Sequence, residues 1–431
     1  MSLTFKPKLR KLNQAEFLTA VVLLWPFSFG ALIDMLGLPN SVKYVMDLAW
    51  ILLLFLIMAN QIKKTFALSK TALIILLWPI CFFAFTLITY FLNYQSVLYY
   101  LWGGRNNFRF YVAFAAFIIF IKKDYINSYL KLFDVLFWLN AVVCFFQFFV
   151  LGIKWDFLGG FFGVQTGCNG YLNVFMVLMI IKSAVCYLNN RETLLAFILK
   201  SGTSLVLAAL AELKFFFVEY VIIVLFALLI TRFTFKKLGF ICVGIVCVII
   251  GYETLIFVFP DFLDFFSLEN MLNNATKGGY TYAEALNRLT TIPVISKNYL
   301  TTGFQRTIGL GLGNCDTAAY DFLNTPFYER YSFLRYNWFS TAFTYLETGF
   351  IGLIFTFGFF VLTYFLALKK RKMESRSVED RILCEISALS SVMCCVILIY
   401  NSSLRTEAAY MAYFMTSLAF IGEAKSISRK V

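Results

Sequence analysis

Seven arginines stand out by where they lie. Arg105, Arg109, Arg288, Arg306, Arg330, Arg335 and Arg405 all fall away from the basic clusters that would orient a membrane protein. Arginine offers a planar, permanently charged fork that matches the oxygens of a phosphate or carboxylate, whereas lysine is a point charge. These seven share their side of the chain with five Lys, while the orienting clusters hold seven Arg against eighteen Lys. An Arg-rich face points to a bound phosphate or acidic sugar. The plainer account is pairing with nearby acids, and the polar interval 260–337 holds seven acids against six bases.

Other residues could join such a site. Arg105 and Arg109 are spaced i, i+4, on one helix face. Arg405 lies in the turn Asn401-Ser402-Ser403-Leu404-Arg405. Glu347 sits several residues inside an apolar run, beside Thr348 and Gly349, and an ionisable group at that depth faces protein or water. It could serve as a base, as an acceptor for a sugar hydroxyl, or as the ion-pair partner of Arg335 or Arg405. Glu212 and Lys214 mark a short turn with Glu219 one helical turn on, and Asp156 opens the Gly-rich stretch to Gly163. Asp34 is a further candidate base.

The run Gly309-Leu310-Gly311-Leu312-Gly313-Asn314 is not a nucleotide loop, because it lacks the Gly-Lys-Ser/Thr end. Glycine here permits a compact turn. Tyr280, Tyr282, Tyr299, Tyr320, Tyr328, Tyr331, Tyr336 and Trp338 suit stacking on sugar faces or an interfacial belt. With no His in the chain there is no catalytic triad and none of the usual zinc sites. No Asp-x-Asp pair is present, and neither a metal nor a cofactor is expected, though carboxylates alone could hold Mg²⁺ or Ca²⁺. Most of the ten Cys, among them Cys144 and Cys394, lie in apolar runs and pack as small hydrophobes. Cys168 and Cys315 lie outside them, where a disulfide is allowed but not required.

The elements that must position these residues are membrane helices. Hydrophobic residues make up 61% of the 431, and the mean hydropathy is +0.78. Apolar runs near twenty residues recur, which is the pattern of an all-α polytopic membrane protein and excludes a β-barrel. Twelve transmembrane helices are expected, near 17–36, 45–59, 71–92, 108–121, 129–152, 171–188, 194–211, 215–231, 237–259, 340–368, 382–400 and 408–424. The first reads as a retained helix and not as a cleaved signal. The chain is expected to form one integral membrane domain, 1–431, with a large extracytoplasmic loop at 260–337.

Alternation then puts the N-terminal Lys6, Lys8, Arg10 and Lys11 on one side. Lys63, Lys64, Lys70, Lys122, Lys123, Arg191, Arg232, Lys236, Lys237, Lys369–Lys372 and Lys425, Arg429 and Lys430 fall there too. That side is cytoplasmic by the positive-inside rule, so both termini are expected in the cytoplasm. The net charge of +13 is a topology signal, and no nucleic-acid partner is implied. Lys182 and Lys200, inside spans, are expected to snorkel.

This layout resembles the Wzy-type polysaccharide repeat-unit polymerases and the related O-antigen ligases. The matching pieces are Asp156 to Gly163, Ala211-Glu212-Leu213-Lys214, Arg288 ahead of Gly309 to Asn314, Leu346 to Gly352, and Arg405 in the last turn. The resemblance implies a GT-C-like fold in the bacterial inner membrane. It implies glycosyl transfer from an undecaprenyl-pyrophosphate-linked glycan donor to a lipid-linked acceptor, with a chain-length regulator and a flippase as possible partners. It carries a role for loop arginines onto Arg288 first, then Arg105, Arg109 and Arg405; in such a reaction Glu347 is expected as the base or as the group that orients the acceptor. Arg306, Glu212, Lys214 and Asp156 are further expected substrate contacts. Ligases of this kind usually carry a His before the Glu-x-Gly segment; here that neighbourhood is Tyr336-Asn337-Trp338-Phe339, which favours the polymerase. A lipid-linked oligosaccharide flippase or transporter is the reading from another class, though neither an inverted repeat nor a pair of broken helices is visible.

Overall fold

A backbone surrounded by hydrocarbon must satisfy its own hydrogen bonds, so apolar runs of this length become helices. They do so in the computed structural model, which describes residues 13–34, 36–62, 66–231, 236–258, 285–318, 321–373 and 377–426. The opening run is interrupted: α1 (Gln14–Leu24) ends in a 3-10 turn at Trp25–Phe27 containing Pro26, and α2 (Phe29–Asp34) follows. Then come α3 (Val45–Ile62), α4 (Lys70–Leu92), α5 (Val97–Phe120), α6 (Ile126–Phe149) and α7 (Cys168–Leu188). The central part continues with α8 (Leu194–Leu210), α9 (Lys214–Ile230) and α10 (Lys236–Val258). Three short helices, α11 (Thr291–Asn298), α12 (Gly303–Ile308) and α13 (Pro326–Tyr331), precede α14 (Ser340–Arg371), α15 (Val378–Tyr400) and α16 (Ala409–Ser417).

Among the described residues, six helical stretches are long and apolar enough to cross a membrane: Ser41–Ile62, Lys70–Leu92, Lys123–Phe149, Cys168–Leu188, Ser340–Arg371 and Val378–Tyr400. The chain is therefore an all-α, membrane-embedded protein. The other expected spans contain helix among their described residues but do not meet that standard. α8 and α9 have 17 residues each. α5 has 24 residues but carries the polar stretch Gly103 to Arg109. That helix starts eleven residues before the expected 108, because its polar side chains find partners on other segments and need no loop. Of the orienting basic residues, Lys6, Lys8, Arg10, Lys11, Lys63, Lys64, Arg232, Arg429 and Lys430 lie outside the described residues, as do 259–284, Tyr280, Tyr282 and Tyr320.

Contacts distant in sequence define the two ends of the bundle. At one end β1 (Phe66–Leu68) pairs antiparallel with β2 (Ala424–Ser426), with Ala67 opposite Lys425. At the other end Asp47 meets Arg105, Gln95 meets Leu312 and Arg109 meets Glu407. Between them, α7 is buried almost throughout and every residue of α16 is buried. α16 sits on α5, α7 and α15, and on α5 it makes edge-to-face aromatic contacts: Phe110–Tyr410, Phe117–Phe414 and Tyr111–Tyr413. α3 and α4 form the rim, with most of their apolar side chains facing outward. Lys182 and Lys200 do not snorkel. They are 6% and 5% exposed, and both bind Asp134.

Candidate functional site

The site forms where α14 breaks. Gly349 has φ 62° and ψ −160°, a conformation that other residues adopt only with strain, and the helix resumes beyond it. The break leaves the carbonyls of Leu346 and Glu347 without their ordinary helical donors. The backbone N–H groups of Leu310 and Gly311 fill in, at 2.8 and 2.9 Å. The approach is backbone to backbone: a Cβ on Gly349 would lie 2.4 Å from the Thr307 carbonyl oxygen. At its far end the Gly309–Gly313 run meets the start of α5, where a Cβ on Gly313 would lie 1.9 Å from the Tyr99 carbonyl oxygen. The Gln95 amide donates to the Leu312 carbonyl and holds that end down. The glycine run is thus a wedge between α14 and α5, a more constrained part than the compact turn the sequence suggests.

Glu347, 1% exposed, lies one residue before Thr348 at this break, and among the described residues neither of its carboxylate oxygens completes a hydrogen bond. The backbone amides of Gly313 and Cys315 approach it. Its ion-pair partner is Arg405, with Nη2 3.9 Å from Oε2. The same Nη2 stands 3.7 Å from Asp316 Oδ2. Asp316 is buried in the loop and accepts from Asn106 Nδ2 at 2.7 Å and from the Thr317 amide at 2.9 Å. Burial pushes its carboxyl above the usual range, and Arg405 and Asn106 pull it only part of the way back.

Arg405 lies over Phe343, its guanidinium carbon 3.6 Å from the ring centroid. Among the described residues its guanidinium completes no hydrogen bond, only the two ion pairs beyond 3.5 Å. A cavity of about 30 Å³ opens beside it, lined by Asn106, Ser340, Thr344 and Tyr413, which is room for about one water.

The neighbouring arginines are committed. Arg105 Nε binds both oxygens of Asp47, at 3.0 and 3.1 Å, and its guanidinium packs on Tyr44 and Trp102. Arg109 is 2% exposed and donates to Glu407 at 3.0 Å and to the Arg405 carbonyl at 3.3 Å. Tyr171 donates to the other oxygen of Glu407 at 2.8 Å. Burial opposes the Glu407 charge, but Arg109 and Tyr171 outweigh it and hold the carboxyl down to about 2. These pairs frame the Arg405 turn.

Arg288 also acts on that turn. Its Nε donates to the Tyr400 carbonyl at 2.9 Å, and its guanidinium covers the Tyr400 ring at 4.2 Å. Tyr400 in turn stacks on Phe215 at 4.0 Å. Asp156, Glu212 and Lys214 form a second sector nearby. Asp156 accepts from Asn169, which also binds the Ala211 carbonyl, and Lys214 pairs with Glu212 at 3.3 Å while feeling the charges of Asp156 and Arg288. Arg306 stands apart: it binds the carbonyls of Ser296, Leu300 and Thr301 and closes the end of α11. Asp34 accepts from the Val164 amide and Gln165, so it holds the Gly-rich turn before α7. Cys168 and Cys315 are both free, buried thiols.

The structure therefore gathers Arg105, Arg109, Arg405 and Glu347, with Arg288 bracing the turn and Arg306 elsewhere. Sequence reasoning missed Asp47, Asp316, Glu407 and Phe343. Glu407 carried a signal, being an acid two residues from Arg405 in a short turn between apolar runs. Asp316, two residues beyond the glycine run, carried a weaker one, and Phe343 none among 52 Phe. No family model matches this chain, and no curated protein matches it in sequence.

Proposed function

We propose that this protein polymerises undecaprenyl-pyrophosphate-linked oligosaccharide repeat units into a surface polysaccharide, by glycosyl transfer at the outer face of the bacterial inner membrane. In this reading the chain crosses the membrane twelve times in a GT-C-like arrangement, with both termini cytoplasmic and the glycine wedge on the outer side. The observation that carries it is Arg405: a guanidinium held over Phe343, beside two buried carboxylates, with its hydrogen bonds unspent. Such a group is ready for the oxygens of a pyrophosphate. A hydroxyl oxygen of one lipid-linked repeat attacks the anomeric carbon of the other. The bond from that carbon to the phosphate oxygen breaks, and the pyrophosphate leaves with the electron pair. Arg405 stabilises the charge that develops there, and Glu347 takes the hydroxyl proton. Arg288 is a positioning residue that fixes the Arg405 turn through Tyr400, while Arg105 and Arg109 hold the walls.

The test is reconstitution with a purified lipid-linked repeat, with products read as a chain-length ladder. Elongation by the wild type and its loss in Arg405→Ala support the reading. A wild type that moves the substrate across the bilayer without lengthening it overturns the reading. One observation favours that second outcome, a lipid-linked oligosaccharide translocator. Two helical segments are broken, at Trp25–Phe27 and at Gly349, and a Gly-rich loop packs beside each break, Phe162 and Gly163 against Gly30, and Gly309 against Glu347 and Thr348. A ligase would instead transfer a finished chain to a separate acceptor and leave the ladder unchanged.

A further inference from the structure

A cavity of about 590 Å³ lies far from the Arg405 site, between the early turns of α6, α8 and α15 and the late turns of α7. Lys182 is fourteen residues along α7 from Cys168, about 21 Å at 1.5 Å per residue. The cavity is lined by Lys131, Lys182, Arg191 and Lys200 against Asp134, Glu192 and Glu379. Lys200 spends donors on Asp134 and Glu192, and Glu192 also accepts from Ser183. Lys182, equally buried, binds only Asp134. An ammonium has three donors, so Lys182 keeps two without a protein acceptor among the described residues. A buried donor left in that state is costly unless a ligand or water completes it.

The remaining wall is apolar. Leu130, Trp138, Leu199 and Ile382 line the cavity. From Trp138 and Leu199 an exposed stripe continues over Val135, Leu139 and Leu195 on the outer surface of α6 and α8. A charged chamber that opens onto a lipid-facing apolar stripe fits an amphiphile better than a soluble anion.

We propose that this cavity is a binding site for an anionic glycerophospholipid. The head-group phosphate accepts from the free donors of Lys182, with Lys131 and Arg191 at the mouth, and the acyl chains lie along Trp138 and Leu199. The site is independent of the glycan reading. It places a structural or regulatory lipid at the opposite end of the bundle.

The experiment measures thermal unfolding of the full-length protein in a neutral detergent, titrated with phosphatidylglycerol, phosphatidylcholine or inorganic phosphate. Saturable stabilisation by phosphatidylglycerol alone is expected, with half-saturation raised about tenfold in Lys182→Met, the loss of one charge-assisted hydrogen bond. If Lys182→Met does not fold, Arg191→Gln at the exposed mouth serves, with a rise of about threefold expected from a weaker, solvated contact. Equal stabilisation by phosphatidylcholine overturns the site, as does an unshifted half-saturation in the variant. Stabilisation by inorganic phosphate alone overturns the lipid and leaves a soluble anion.

Discussion

Arg405 and Glu347 face each other at 3.9 Å across the break in α14, close enough to pair electrostatically and too far to hydrogen-bond. A pair in this state is poised: either group can turn to a ligand without first giving up a strong bond. Arg105 and Arg109, bound to their carboxylates at 3.0 Å, would have to give one up.

Arg405→Ala is expected to reduce elongation by about 10² to 10³, the usual effect of removing one donor to a developing charge. Arg405→Lys should recover only part of it, since a point charge cannot replace the fork. Initial rates on a lipid-linked repeat, normalised to protein in the membrane, measure both. Full activity in the alanine variant would remove Arg405 from the site.

Glu347→Gln keeps the shape of the side chain and removes its basicity. Elongation is expected to fall by at least about 10², the low end for general-base catalysis, while the unfolding temperature holds or rises. A variant that loses stability but keeps its rate per folded molecule would make Glu347 structural.

The Arg109–Glu407 pair should behave in the opposite way. Arg109→Ala leaves Glu407 buried and uncompensated, an expected loss of about 3–5 kcal/mol of stability. Because the folded carboxyl is held below its ordinary 4.5, to about 2, the pair stabilises the protein fully above 4.5. That contribution is lost as pH falls from 4.5 towards 2. Unfolding temperatures in detergent from pH 7 to pH 3 should drop for the wild type and drop less for Glu407→Gln, which starts lower.

Gly349→Ala places a Cβ 2.4 Å from a carbonyl oxygen at a positive φ, so about 1–3 kcal/mol of destabilisation is expected, with elongation lost as the wedge shifts. Gly104, where a Cβ would meet nothing within 4 Å, is the control and should accept alanine.

Arg288→Ala should lower the rate through the turn that Tyr400 anchors, so Arg288→Lys, which can still reach a carbonyl, is expected to restore more activity than Arg405→Lys does. Arg306→Ala should change the amount of folded protein and leave the rate per molecule intact, because its donors serve loop carbonyls. Membrane abundance and specific rate, measured together, separate the two.

The helices were legible because hydrocarbon burial leaves a strong, local mark in sequence. The start of α5 was not: Gly103 to Arg109 is polar, and only the acids of distant segments make it tolerable inside a helix. The arginines were legible as a set. Their division into committed and uncommitted members was not, since it depends on Asp47, Asp316 and Glu407, each from a different part of the chain. The glycine run was visible as a turn, yet its packing against Gly349 is a contact between backbones and leaves no side-chain signature.

The last helix has a consequence for synthesis. α16 leaves the ribosome after α1 to α15, yet it occupies the middle of the bundle, and β2 behind it must still find β1, more than 350 residues earlier. The helices inserted before it therefore have to wait around an unfilled centre until α16 has been made, the order in which long-range contacts form last. Chains arrested before residue 409 are expected to be inserted but open to protease, and full-length chains to close. If the arrested chains are already resistant, the centre fills by another route.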